Sequence, residues 1–550
     1  MPNPALLALM TVGCSLFPTT VEAPPPAIEG QDVHLTLIHT SDLHSRMLPY
    51  HFTPTYTDNQ LGLPDAEDMG CEPTERCYGG MARVAWIIKQ ERLRSDRVLV
   101  LDTGDLFQGA AIFNEFGGDA EMKVMTEAGY DAVVVGNHDF GEGAAHLSDV
   151  YAAYGGFHFL AANYDFESSD EPWASQLEDQ VEPSVLFELD GLRVGVVGIG
   201  NLSSLTSIYD QDNSMDVSPL ATEQAIQIQT DLLTAMGADL IVVLSHLGLD
   251  DDFELARNIA NPEVDIILGG HHHVVTDPPP VIINRVTGKR IPVVHSGAFT
   301  KYVGRIDLVV RDGEIQSMDY ELFPIFDHLA MREDPEVAEI LADYDYWLSQ
   351  EYNLSQTIGY AEETLRRFGN GGGDSMLGNF AADAIRFQQG VETEMAITNT
   401  LGIRTDLDAG DISLDAMFNA MPFDNTITTM FLSGREVEEV LDYIAYRSSD
   451  RGCNAQAQVS GIRFTMDCSV GDARDIYING VPLDQNGTYE LATNNYIAHG
   501  GSGFDMLERN TTQTDLGISI RDVVISAIKA YHTLPQPGVA EEEGRINVVY

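Results

Sequence analysis

Five short apolar runs, rich in β-branched residues, each end in side chains that bind metal ions, and this recurrence constrains the fold of the 550-residue chain more than any other feature. The runs are His34 to Thr40 before Asp42 and His44, Val98 to Leu101 before Asp105, and Ala132 to Val135 before Asn137 and His138. Leu240 to Leu244 precedes His246, and Val264 to Leu268 precedes the GGHHH of Gly269 to His273. Apolar stretches of about four to eight residues bounded by Gly, Asp or Asn read as buried strands. In open α/β sheets, ligands bind beyond the carboxyl ends of the strands, so the five ends are expected to converge on one metal centre.

The ligand types narrow the chemistry. Asp42, His44, Asp105, Asn137, His246, His271 and His273 supply two carboxylates, one amide oxygen and four imidazoles. One tetrahedral zinc takes fewer. If Asp105 is shared, the set divides evenly: Asp42, His44, Asp105 and His273 around one ion, Asp105, Asn137, His246 and His271 around the other. Two cations about 3.5–4 Å apart clamp an in-line displacement at phosphorus. Mixed N and O ligation suits zinc, manganese or iron, with zinc and manganese foremost. A single histidine is commonly an ordinary core or surface residue; the set placed at five strand ends is not. Alternating exposure separates His271 and His273 from His272, which is expected to point elsewhere.

These motifs carry a family resemblance. DLH at Asp42 to His44, GGMAR at Gly79 to Arg83, LDTGD ending at Asp105, GNHDF from Gly136, LSHLG around His246 and GGHHH resemble the calcineurin-like metallophosphoesterases. Their order is similar to the 5'-nucleotidase and UDP-sugar hydrolase branch. LGNFAADAIR (Leu377 to Arg386), LGIRTDL (Leu401 to Leu407), MPFDN (Met421 to Asn425), QVSGIRF (Gln458 to Phe464) and AHGGSGF (Ala498 to Phe504) resemble that branch's C-terminal domain. The resemblance implies an α/β protein, with an N-terminal four-layer-type metallophosphoesterase sandwich joined by a helix to a C-terminal α/β substrate-binding domain.

The expected divisions are 1–30, an export signal and Pro-rich tether; 31–325, the metallophosphoesterase domain; 326–356, a linker helix; and 357–550, the substrate-binding domain. Asp334 offers an N-cap and Pro335 the first helical position, opening an apolar-periodic segment through Ile340 and Trp347. In the family this helix connects domains that rotate relative to each other.

Ala5 to Val12 is apolar, Gly13 and Cys14 follow, and a tether runs through Pro24, Pro25 and Pro26. This resembles a bacterial lipoprotein signal, which implies a lipid anchor at Cys14 and a periplasmic or cell-surface protein. Thr11 stands where such signals usually carry leucine, and no Lys or Arg precedes the run. The other cysteines fall into two local pairs, Cys71 with Cys77 and Cys453 with Cys468, and an exported chain meets oxidising conditions, so two small disulfide loops are expected.

The net charge of −55, from 85 acidic and 30 basic residues, repels polyanions and excludes nucleic acid polymers as partners. A small phosphate ester is still compatible, because divalent cations and a few arginines dominate the local potential while salt screens distant charge over about 10 Å.

Asn137 and His138 are expected to stabilise charge on the phosphoryl oxygens, and the resemblance makes His138 the catalytic histidine. The family pairs that histidine with an Asp three residues on, where this chain has Gly141; either Asp139 or Glu142 takes over the orienting role, or His138 works without one. Arg404 matches the family's phosphate-binding arginine, and Phe423 and Tyr496 match two aromatics that sandwich a nucleobase. Asn399 sits where the family's NGGGIR begins, with Thr400 and Leu401 replacing two glycines. Ser502 stands where an Asp commonly holds ribose hydroxyls, and Arg366 or Arg367 aligns with another family arginine only across the inserted Gly369 to Gly373. The resulting expectation is an exported two-metal phosphohydrolase acting on nucleoside 5'-monophosphates, with nucleotide pyrophosphates such as UDP-sugars as further substrates. The alternatives are a 2',3'-cyclic-nucleotide phosphodiesterase with 3'-nucleotidase activity, and a surface binding protein without turnover.

Overall fold

All five runs form strands, and they do so in two different sheets. The computed structural model describes residues 28–71, 76–166, 173–202, 217–328 and 331–550; the signal, Cys14 and Pro24 to Pro26 lie outside them. Three of the strands, β1 (Val33–Thr40), β2 (Val98–Asp102) and β3 (Ala132–Val134), run parallel in the middle of a seven-stranded sheet. The other two, β4 (Leu240–Ser245) and β5 (Val264–Gly269), run parallel in a six-stranded sheet. Apart from His34, every residue of these five strands is buried, so their sequences read as continuous apolar runs, without polar alternation.

Alternation survives as a choice between two buried faces. Leu35 and Leu37 of β1 and Leu99 and Leu101 of β2 meet Val242 and Leu244 of β4 and Ile266 and Leu268 of β5 in a core between the sheets. On the outer face of the first sheet, Ile38, Val98, Val100 and Val133 pack against helices Met81–Arg94, Asp119–Ala128 and Ala144–Tyr154. On the outer face of the second, Ile241, Val243 and Ile267 pack against helices Thr222–Ala235 and Leu249–Asn258. The order helix, sheet, sheet, helix makes a four-layer α/β sandwich, and the carboxyl ends of β1 to β5 meet at one edge of it.

Asp334 caps the helix Pro335–Glu351, its carboxylate accepting from the N–H groups of Glu336 at 3.2 Å and Val337 at 3.1 Å. Val337, Leu341 and Leu348 belong to the same apolar core as the outer helices of the first sheet. Beyond it, a five-stranded sheet contains Met395–Asn399 and Thr488–Asn494, with helices Met376–Arg386 and Ile520–Tyr531 over one core and Gly434–Ser449 over another. Cys71–Cys77 and Cys453–Cys468 are both disulfide-bonded. Among the described residues, no helix is long and apolar enough to cross a membrane.

The C-terminal region closes over the strand ends. Arg46, buried just after β1, donates to the side chain and carbonyl of Asn419. Asn114 Nδ2 donates to the Pro422 carbonyl at 3.1 Å and to Asp424 at 2.8 Å.

Candidate metal centre

The loops after β1, β2 and β5 hold polar side chains in unusual backbone geometry. Asp42, His44, Asp105, His271 and His273 have φ of 50°, 46°, 58°, 73° and 56°, the left-handed region that costs a non-glycine residue about 1–2 kcal/mol. Such strain persists where surrounding structure over-determines it, typically at functional sites. Gly136 is required by the same crowding: a Cβ there would overlap the backbone N and carboxylate of Asp105.

The structure gathers these side chains into overlapping groups. Asp42, His44 and His273 form one, Asp105, His246 and His271 a second, and His44, Asp105 and His138 a third between them. His246 Nε2 lies 3.0 Å from Asp105 Oδ2 and 3.2 Å from Asn137 Oδ1, while His44 Nε2 is 3.7 Å from Asp105 Oδ2. His273 Nε2 is 3.5 Å from Asp42 Oδ1 and 3.0 Å from His44 Nε2. His272 is turned away, its Nδ1 accepting from the Leu249 N–H at 3.1 Å.

The donor set fits divalent cations. His44 Nδ1 donates to the Gln108 carbonyl at 2.7 Å, and His246 Nδ1 donates to the Thr103 carbonyl. Each ring therefore directs its Nε2 inward, the arrangement by which main-chain carbonyls orient metal-binding histidines. Burial holds His44, His271 and His273 well below the ordinary imidazole range, with Arg404 adding to the effect on His44 and His273. Burial likewise pushes Asp42 up to about 8. Burial opposes charge on His246 as well, but Asp105 beside it raises its pKa to about 10. Neutral imidazole lone pairs facing two buried carboxylates need positive charge among them, and divalent ions supply it.

His138 lies at the edge of this cluster, its main-chain N–H donating to Asp105 Oδ1 at 2.7 Å. The expectation that Asp139 orients its ring is corrected by the structure. The Asp139 carboxylate accepts from the main-chain N–H groups of Gly136 at 2.7 Å, Leu106 at 2.8 Å, and Asp105 and Phe107 at 3.3 Å. It ties the Asp105 and His138 loops together and leaves the imidazole to another group, for His138 Nδ1 lies 2.7 Å from Gln108 Oε1. Gln108 escaped the sequence reading although it stands three residues after Asp105 in the same loop; Gly141, having no side chain, was the only hint that something else fills that space. A second missed group lies behind β4 and β5, where buried Asp252 of helix Leu249–Asn258 accepts from Ser245 Oγ and from His295 Nε2 at 2.8 Å, tying the helix to the ends of two strands.

The C-terminal candidates fall at different distances from the cluster. Arg404 reaches it, Nη2 lying 3.4 Å from both His44 Nε2 and His273 Nε2. Its guanidinium carbon is 5.7 Å from the Phe423 ring, which stacks on His138 with centroids 5.6 Å apart. Arg367 sits behind, donating to the carbonyls of Ile403 at 3.2 Å and Arg404 at 2.6 Å. Asn399 and Phe423 line one cavity with Asn425, Asn494 and Arg521. Tyr496 and Ser502 pair with each other, the Tyr496 hydroxyl accepting from the Ser502 N–H at 3.0 Å.

The calcineurin-like phosphoesterase family model matches residues 35–275, and that of the 5'-nucleotidase C-terminal domain matches residues 357–509. The snake venom 5'-nucleotidase of Gloydius brevicauda is 28% identical over 94% of this chain and 89% of its own length. The apyrase of Tabanus yao is 26% identical over 94% of each. The crystal structure of a 5'-nucleotidase precursor from Thermus thermophilus is similar at a TM-score of 0.81 and 29% identity, covering 94% of this chain and 99% of that one. With both domain models in order and likeness along nearly the whole length, this chain belongs to the 5'-nucleotidase family of metal-dependent phosphoric ester hydrolases.

Proposed function

We propose that the protein is an exported phosphohydrolase that binds two divalent metal ions and releases phosphate from nucleoside 5'-monophosphates, with nucleotide pyrophosphates such as UDP-sugars as a second substrate class. The observation that carries this reading is the meeting of Arg404 and Phe423 with the histidine and carboxylate cluster. A cation with a planar fork and an adjacent flat ring suit a phosphate attached to a flat organic group. Bound divalent ions would neutralise the phosphoryl oxygens and lower the pKa of water towards about 7.

In this reading Asp42, His44, His271, His273, His246 and Asn137 would hold the ions, with Asp105 contributing to both. Arg404 orients the phosphate. Burial and Arg367 lower its pKa to about 10, which leaves it a cation at neutral pH. Burial draws His138 down to about 4, so the ring is neutral before substrate arrives. A phosphate dianion favours its protonated form. His138 then carries a proton on Nε2 and delivers it towards the leaving alkoxide, while the Asn137 amide faces the phosphoryl oxygens. Asn399, Tyr496, Ser502 and Arg367 shape the nucleoside end. Two disulfides support an oxidising compartment, and Gly13 and Cys14 after an apolar run support export with a lipid on Cys14.

Purified protein with zinc or manganese should be assayed on AMP, UDP-glucose, 2',3'-cyclic AMP and 3'-AMP. Preference for AMP supports the proposal, preference for the cyclic or 3' esters supports a cyclic-nucleotide phosphodiesterase, and no turnover of any supports a binding protein. Elemental analysis under metal-replete conditions should find two ions per chain.

A further inference from the structure

The side chain and the main chain of Gln108 act in different directions. The residue lies in the left-handed region at φ 58°, three positions after Asp105. Its carbonyl accepts from His44 Nδ1 at 2.7 Å, and its side-chain Oε1 lies at the same distance from His138 Nδ1. An amide oxygen only accepts, so the His138 proton resides on Nδ1 and Nε2 is left to act on substrate. The amide is wedged in place from behind: a Cβ on Gly141 would overlap its nitrogen and carbon.

We infer that Gln108 is a positioning residue for phosphoryl transfer, setting the tautomer and ring orientation of His138 through its side chain while its main chain holds His44. This rests on the reading of His138 as the proton donor. A neutral amide performs here what a carboxylate on the neighbouring turn could do, and the two solutions exclude each other sterically. Gly141 has φ −59° and ψ −27°, open to any residue, so an acid there would place its oxygens where the Gln108 amide now sits once that amide is removed.

The test uses the metal-replete enzyme with four variants. Gln108→Ala should lower kcat about 10- to 100-fold, the usual cost of removing such an orienting partner. KM, melting temperature and metal content should hold, because the carbonyl that orients His44 is retained. Gln108→Glu, which keeps the acceptor, should recover most of kcat, as should the double variant Gln108→Ala with Gly141→Asp. In enzyme carrying ¹⁵N-labelled histidine, the His138 resonance, identified by its disappearance in His138→Asn, should show a protonated Nδ1 that becomes a mixture of tautomers in Gln108→Ala. Unchanged kcat and tautomer in Gln108→Ala, while His138→Asn is inactive, would overturn the inference alone. Full activity in His138→Asn would overturn the reading of His138 itself. Loss of metal together with kcat in Gln108→Ala, without rescue by either second change, would reduce Gln108 to a structural residue.

Discussion

The imidazole of His138 and the ring of Phe423 face each other across the boundary between the two domains, centroids 5.6 Å apart and planes 21° from parallel. One comes from the loop after β3 and the other from the C-terminal domain, so the stack joins a C-terminal aromatic ring to the histidine cluster. Phe423→Ala should raise KM for nucleotides about 5- to 150-fold, equivalent to about 1–3 kcal/mol of base stacking, and spare p-nitrophenyl phosphate. Equal effects on both substrates would argue against stacking.

Asp105 contacts both histidine groups, and its replacement tests whether one carboxylate serves them together. Asp105→Asn should reduce kcat at least about 100-fold and lower the bound metal measured by elemental analysis. Near-normal activity with full metal content would contradict sharing.

Arg404→Ala should cost about 1.5–3 kcal/mol in kcat/KM, the range for hydrogen bonds to a charged group. Arg404→Lys should recover only part of that, since a point charge does not reproduce the fork. The split between KM and kcat under steady-state conditions checks whether the loss lies in phosphate binding.

A separate prediction concerns stability. Burial alone would push the Asp58 carboxyl up, but Lys301 at 2.6 Å and hydrogen bonds from Thr55 outweigh it and hold its pKa below the ordinary carboxylate value. A depressed carboxyl contributes stability above the unfolded pKa of about 4 and loses it as pH falls through the folded value. Asp58→Asn should therefore destabilise the protein by about 1–3 kcal/mol at pH 7, with the difference from wild type shrinking below about pH 4 in thermal melts. A difference that grows on acidification would reverse the assigned sign.

The strands and the polar side chains clustered at their ends were legible because a strand buried on both faces leaves an uninterrupted apolar run, as in Leu240–Ser245 and Val264–Gly269. The same property hid which sheet each strand joins: β1 and β4 look alike in sequence yet pair in separate sheets, and only the family resemblance supplied the layering. Groups that work through geometry rather than residue type were invisible. Asp139 looked like a partner for its neighbour His138, but a turn of 3₁₀-helix at His138–Phe140 sends its carboxylate to main-chain N–H groups. Gln108 was found only once folding brought two loops together, and Asp252 with His295 meet across 43 residues of sequence.

The helix Pro335–Glu351 is anchored by Val337, Leu341 and Leu348 in the first domain's core, while the next strand, Thr357–Ala361, begins the second domain. Between them lie residues 352–356, where Tyr352 leans edge-on against Phe418 and Leu354 joins the same apolar core. If the two lobes rotate as the resemblance implies, these five residues are where the backbone torsions would change, and proline placed there should stiffen the connection while leaving Arg404 and Phe423 in place.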